Sequence, residues 1–423
     1  MKDNAPVSTT LCEEDDVLSK LDRRSFLELT GKNLGALGLL PAWSLRAQSE
    51  VAEVAVIGAG AFGGWTALYL REMGLSVTLI DAYGPGNARS SSAGETRQIR
   101  AAYGERELYS RWAIEALERW KQRQAEWGKQ LLFETGQITF GSDWVAMRTT
   151  KAVLDRLGVT NEILSPEDLA RHYPQFDHGG AEYGVYTPST GVLLCREACL
   201  AVADAFERQG GRFIMAKAIP GRRAGGRLQE VTLSNGRSVS AQSFVFACGP
   251  WHPKMFPELL GNKLRLNRRT LFFMGTPDDD ERLSYPRCPT FTIRGVYGFP
   301  NIHGKGLKIG PYWDSGSLDP DIGDRTVTAE EIRKAHEFVD SAFPSLAGQP
   351  LLETRVSPRT DSVDGHFIVD QHPELDNVWI VGGGSGHGFK HGPMMGEHVA
   401  QRVAGKSTSS ELVETFRLKD AEF

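Results

Sequence analysis

The stretch Val54–Asp81, V-A-V-I-G-A-G-A-F-G-G-W-T-A-L-Y-L-R-E-M-G-L-S-V-T-L-I-D, decides the fold of this chain. An apolar run from Val54 to Ile57 ends in Gly58, Gly60 and Gly63, a helical pattern follows, and a second apolar run closes on Asp81. This is a complete βαβ dinucleotide fingerprint. Gly58 makes the tight turn, Gly60 lets the backbone approach a pyrophosphate, and Gly63 lets helix and strand pack closely. The diphosphate is expected at the helix N-terminus, where free N–H groups and the helix dipole favour an anion. Asp81, about twenty residues beyond Gly58, is placed to bind ribose hydroxyls. The motif alone does not separate NAD from FAD.

Working outward, the 423 residues suffice for two sizeable cores. With a net charge of −5 and no long basic run, nucleic acid is not an expected partner. No stretch is apolar for long enough to span a bilayer. The five cysteines, Cys12, Cys195, Cys199, Cys248 and Cys288, match neither a zinc ribbon nor a Cys-x-x-Cys redox pair. Cys195 and Cys199, at i and i+4 of a helical pattern, read as small core residues. His366, His372, His387 and His391 gather near the C-terminus, but their spacing suits no standard metal site.

Residues 1–49 stand apart. Arg23-Arg24-Ser25-Phe26-Leu27 precedes a weakly hydrophobic segment from Leu34 to Leu40, and a cleavage site is expected after about Ala47. This resembles a twin-arginine export signal, although Glu28 stands where lysine is common. The reading implies the twin-arginine export machinery as a partner and a periplasmic location; without a working signal the chain is cytoplasmic.

Glu107–Trp127, Lys151–Leu157 and Leu194–Gly210 read as helices, and Ser165-Pro166-Glu167-Asp168 as a helix start. Gly136–Gly141, Arg212–Ala216, Leu264–Gly275 and Val378–Val381 read as strands. A hairpin is expected around Ser234-Asn235-Gly236, and a separate buried strand from Ser243 that ends in a tight turn near Trp251. The fold class is α/β: a Rossmann-like domain in discontinuous segments (50–131, 189–259 and 358–405), and an antiparallel-sheet substrate domain from 132–188 and 260–357. Residues 406–423 are read as a C-terminal tail.

Beyond the fingerprint come Ser91-Ser92-Ala93-Gly94-Glu95-Thr96-Arg97-Gln98-Ile99-Arg100, Tyr297-Gly298-Phe299-Pro300, Gly306-Leu307-Lys308-Ile309-Gly310, Asp364-Gly365-His366-Phe367-Ile368-Val369-Asp370 and Gly384-Ser385-Gly386-His387-Gly388-Phe389-Lys390. In this order they resemble the flavin amine oxidases of the monomeric sarcosine oxidase type, within the D-amino-acid oxidase superfamily. The resemblance runs from residue 52 to about 405. It implies FAD as cofactor, oxidation of the amine of an amino acid or an N-alkyl or cyclic amino acid to an imine, and O2 as acceptor with H2O2 formed. It also implies a small-molecule amine substrate and a monomer.

Carried over by position, the resemblance makes Arg100 and Lys390 the pair that binds the substrate carboxylate. Such a pairing suits the chemistry of a guanidinium fork and an ammonium. Tyr297 becomes an active-site tyrosine, Arg97 an arginine near the flavin, and Lys308 the lysine that assists O2 reduction. The implied cofactor contacts are Gly58, Gly60, Ala61, Phe62, Gly63, Asp81, Ala82, Ser91, Thr96, Arg97, Gly249, Trp251, Gly384, Gly386, His387, Gly388, Phe389 and Lys390.

Three departures follow. Ser357 occupies the position of the cysteine that attaches flavin, so FAD is expected to be non-covalent. Tyr312 replaces an active-site histidine, and Ala93 replaces a histidine in the loop before Arg97. These changes leave the side chain of the substrate open. They also leave room for an FAD dehydrogenase with another acceptor or a non-catalytic flavin-binding protein. An NAD(P)-linked dehydrogenase is disfavoured by the Gly384–Lys390 segment.

Overall fold

The strand Ala52–Ile57 ends at Gly58, whose φ of +109° suits glycine alone; a Cβ there would lie 2.4 Å from the Ala247 carbonyl oxygen. The chain enters the helix Ala61–Glu72 and returns along Val77–Asp81. A Cβ on Gly63 would meet the Gly58 carbonyl oxygen at 1.9 Å, so its role is the close helix–strand contact. The computed structural model describes residues 51–313 and 316–423; the twin-arginine segment lies outside the described residues.

Five strands run parallel in one eight-stranded sheet, in the order Arg212–Met215, Val77–Asp81, Ala52–Ile57, Ser238–Phe246 and Leu375–Gly382. Both faces of the central strand are buried, which explains its unbroken apolar run. Val54 and Val56 pack with Trp65, Leu68 and Val202 on one side. Ala55 and Ile57 pack with Phe244, Phe246 and Phe256 on the other. Each such large side chain contributes about 1.5–3 kcal/mol by leaving water. The helices Ala61–Glu72 and Gly392–Val403 touch closely because Gly396 leaves no Cβ against the backbone of Trp65.

The hairpin strand and the buried strand that the sequence suggested as separate are one, Ser238–Phe246. Its first residues pair antiparallel with Glu230–Leu233, and its last three pair parallel with Val378–Ile380. Gln242 and Ser243 interrupt the apolar pattern at the change of partner and hide the continuity.

The second eight-stranded sheet is antiparallel except where Thr290–Ile293 runs parallel to Gln137–Gly141. The strand Leu264–Met274 lies between Leu351–Ser362 and Leu307–Pro311, with Arg269 opposite Ser357 and Phe273 opposite Lys308. The helix Ala329–Ala342 covers the core of Phe272, Phe291, Ile309, Val339 and Phe343, and begins with a Thr328–Glu331 capping box. Helix Trp144–Arg156 starts earlier than its sequence pattern suggests because Asp143 caps it. In the C-terminal tail, Ser410–Phe416 is helical and Phe416 is fully buried against Trp112 and Phe367. No helix among the described residues is long and apolar enough to cross a membrane.

Candidate active site

A single cleft runs from the βαβ turn to the antiparallel sheet, and nearly every site residue expected from the sequence lines it. At its nucleotide end, Gly60 caps the first helix without any side-chain cap, so helix N–H groups remain for an anion. A Cβ on Gly60 would come within 3.2 Å of Ser92 Oγ, which accepts from the Ala61 N–H. Ala61 and Phe62 line the same wall. The Asp81 carboxylate accepts from the N–H groups of Ala59 (2.7 Å) and Tyr83 (2.9 Å). Burial raises its pKa against these hydrogen bonds, so the fold holds an acid that gains from hydroxyl donors. Ala82, Gly249 and Trp251 continue the wall; Trp251 is fixed by an indole hydrogen bond to Asp321 (2.8 Å). Gly384 faces open space, since a Cβ there would meet nothing within 4 Å, and Gly386, His387, Gly388 and Phe389 follow it along the cleft. Gly63 lies behind this surface as a packing residue.

At the other end, Arg100 and Lys390 line the cleft together with Tyr297 and Tyr312. Tyr103, which the sequence reading did not select, organises the pair. The Arg100 guanidinium lies 4.7 Å from its ring centroid, and Lys390 Nζ donates to its hydroxyl at 2.8 Å. The Tyr103 hydroxyl in turn meets His391 Nε2 at 3.0 Å. Lys390 is 5% exposed; the only other hydrogen-bond partner of its ammonium among the described residues is the His387 carbonyl at 3.3 Å. Burial, then the charge of Arg100, pulls its pKa well below the ordinary lysine value. Burial and the neighbouring Lys390 likewise hold His387 at about 3, so that imidazole is neutral. A carboxylate arriving here relieves a concentration of positive charge.

Arg97 folds back over its own loop, donating to the carbonyls of Thr96 (2.9 Å), Ser91 (2.8 Å) and Ala93, and its guanidinium lines the cleft. Ser91 and Thr96 share that wall. Lys308 is different. It is 2% exposed, and its ammonium donates to Gly94 O (2.8 Å), Thr96 O (2.8 Å) and Thr96 Oγ1 (3.0 Å). It does not line the main cleft; it lies in a second pocket with Phe273, Pro300 and Ile302, and Thr96 belongs to both. Burial and the charge of Arg97 push its pKa well down. An outward-pointing surface lysine is therefore excluded.

Ser357 lines the cleft, and so does Cys248, whose thiol is pushed up by burial. Further cations on the wall escaped the sequence reading, among them Arg269 and Arg359. Strand alternation carried the signal: Arg359 shares the face of Ser357 two residues away, and Arg269 is the cross-strand partner of Ser357.

An uncapped helix N-terminus, a buried acid at the end of the second strand and a glycine-lined cleft leading to buried cations define a dinucleotide-dependent oxidoreductase, and the residues present fit FAD. Residues 53–402 match the family described as FAD dependent oxidoreductase, and the chain belongs to that family. It is 28% identical over 370 residues to a monomeric sarcosine oxidase from Bacillus sp. (strain B-0618), covering 85% of this chain and 94% of that enzyme. It is 30% identical over 365 residues to the peroxisomal sarcosine oxidase of Mus musculus, covering 84% and 92%. The fold also matches a crystal structure of L-proline dehydrogenase from P. horikoshii, with a TM-score of 0.76 at 20% identity, over 86% of this chain and 96% of that one.

Proposed function

We propose that the protein oxidises the amine of an amino acid, or of an N-alkyl or cyclic amino acid, to an imine that water then hydrolyses. One observation carries this reading: Arg100 and Lys390, far apart in sequence, converge on Tyr103 at the cleft end where Tyr297 also stands. A guanidinium and an ammonium there suit one carboxylate. Anchoring the carboxylate fixes the adjacent carbon and its nitrogen, so orientation is supplied by binding. The same positive charge disfavours an ammonium on the substrate and so delivers the amine as the neutral base. Bound FAD supplies the two-electron acceptor.

Lys308, behind Thr96, is the group proposed to assist electron transfer to O2, with H2O2 as product. A fixed buried cation stabilises a developing anion without reorganisation. FAD is proposed to be held without a covalent bond, because a serine hydroxyl at position 357 lacks the thiolate chemistry of a cysteine. Export by the twin-arginine route to the periplasm and a monomeric state complete the proposal.

The test is an anaerobic absorbance scan of the purified holoprotein with N-methyl and cyclic amino acids, followed by air. Bleaching by one class and recovery in air supports the proposal. Bleaching without recovery points to a dehydrogenase with another acceptor. A flavin band that no amine bleaches refutes the catalytic reading.

A further inference from the structure

Two arginines on adjacent strands of the antiparallel sheet line the same cleft as Arg100 and Lys390, and neither belongs to that pair. Arg269 lies opposite Ser357 on the paired strand, and Arg359 lies two residues along from Ser357 on the same face. Their environments differ from that of Arg268, the immediate neighbour of Arg269. Arg268 points to the opposite face, where it pairs with Glu331 and also donates to Thr270 Oγ1 (2.9 Å) and Thr326 O (2.8 Å). Arg269 has one hydrogen-bond acceptor among the described residues, the Trp313 carbonyl (3.1 Å), and no carboxylate partner. Its Nε is buried with no hydrogen-bond partner among the described residues. Arg359 gives its Nε to Asp361 (2.6 Å) and lies against Gly386, where a Cβ would be 2.7 Å from Cζ.

The wall at this end therefore holds Arg269 and Arg359 against one carboxylate, Asp361, which Asn267 also holds (2.8 Å). The tyrosines Tyr297 and Tyr312 face the same space, their ring centroids 5.3 Å apart, and Tyr312 is exposed at the mouth. A guanidinium has five donors; leaving a buried one unsatisfied costs free energy that an anionic ligand recovers. The diphosphate of FAD does not serve, since its cradle is at the glycine turn at the other end of the cleft.

We propose that the substrate carries a second carboxylate, on its side chain or on its N-substituent, and that Arg269 with Arg359 binds it while Arg100 and Lys390 hold the first. The enzyme is thus selective for acidic amino acids such as N-methylaspartate or an iminodiacid. This rests on the amine-oxidation reading for the chemistry, though not for binding.

The experiment measures binding to the oxidised holoprotein by perturbation of its flavin spectrum, using thioether analogues that lack the reacting nitrogen: thiodiacetate, a dicarboxylate, and methylthioacetate, a monocarboxylate. Thiodiacetate is expected to bind at least about tenfold more tightly, the scale of one added charge-assisted pair. Arg269→Gln is expected to abolish most of that difference with flavin content retained, and Arg269→Lys to restore part of it. Turnover of N-methylaspartate is expected to exceed that of N-methylalanine in kcat/KM, mainly through KM. Equal binding of the two analogues overturns the proposal and leaves the amine-oxidation reading standing. Arg269-dependent selectivity in binding without oxidation of any amino acid upholds it and refutes that reading. Loss of flavin from both Arg269 variants assigns the residue to the cofactor and overturns the proposal.

Discussion

Lys390→Met removes a charge and keeps most of the side-chain volume, so it isolates the carboxylate anchor. In the structure the ammonium uses the Tyr103 hydroxyl at 2.8 Å and the His387 carbonyl at 3.3 Å, and it has no carboxylate partner among the described residues. One donor is left for a ligand. A charge-assisted hydrogen bond of this kind contributes about 1.5–3 kcal/mol, which converts to roughly a 10- to 150-fold rise in KM for an amino acid. Because the ammonium is buried and its pKa is already pulled well down, first by burial and then by Arg100, its removal relieves a desolvated charge. The melting temperature is therefore expected to hold or rise slightly. The assay is steady-state kinetics at fixed O2 with an amino acid and its decarboxylated amine, alongside a thermal melt. A KM effect confined to the amino acid supports the anchor. Equal effects on both substrates refute it, since the amine has no carboxylate to lose.

Other expectations follow from the same geometry. Lys308→Met should slow the return of the oxidised flavin band in air by more than about tenfold while sparing anaerobic bleaching; stopped-flow half-reactions separate the two, and an unchanged oxidative half removes Lys308 from O2 chemistry. Gly58→Ala forces a Cβ to within 2.4 Å of Ala247 O at a φ of +109°, so a loss of at least about 1–3 kcal/mol and a fall in bound FAD are expected; normal flavin content with normal stability would contradict the tight-turn reading. Burial opposes ionisation of Glu331, but hydrogen bonds from Arg268, the Thr328 N–H and Thr270 hold its carboxyl down, from 4.5 to about 2. Its stabilisation is therefore fully present above about pH 4.5 and is lost as pH falls towards 2, at most roughly 3 kcal/mol. Glu331→Gln should flatten this acid limb in urea titrations, and an unchanged limb refutes the assignment.

The parallel sheet is legible in the sequence because its signals are local. An unbroken apolar strand, three glycines at fixed spacing and an acid at the next strand end lie within Val54–Asp81, and each requirement is met by neighbouring backbone. The proposed carboxylate pair is legible only through resemblance; no periodicity connects Arg100 to Lys390. Tyr103 escapes a reading by sequence because its importance comes from three partners brought to one hydroxyl by tertiary packing. Arg269 and Arg359 are hidden among other charges of long strands. Only the register, with Arg269 opposite Ser357, separates an arginine facing the cleft from Arg268, which faces Glu331. The continuous strand Ser238–Phe246 reads as two because polar residues mark its change of partner.

The strip Gly94-Glu95-Thr96 ties these parts into one design. Its carbonyls cage the Lys308 ammonium on one side, while Thr96 also lines the main cleft on the other. Glu95, at a positive φ of 64°, is held by Lys305 (3.1 Å) and Arg355. A left-handed glutamate is strained, and two ion pairs, one from Arg355 on the strand Leu351–Ser362 and one from Lys305 in the loop before Leu307–Pro311, anchor its side chain in place. The wall between the two cavities is thus braced by that strand and loop. It keeps Lys308 apart from Arg100 and Lys390, so the lysine proposed to act on O2 and the lysine proposed to hold a carboxylate do not share one cavity. Both ammonium groups are buried and both have depressed pKa values, with burial as the leading cause. Lys308 already has three acceptors, whereas Lys390 has the Tyr103 hydroxyl and one long contact to a carbonyl. The difference in satisfaction fits the two roles proposed: Lys308 as a fixed charge acting through the wall, Lys390 as a charge with a donor left for a ligand.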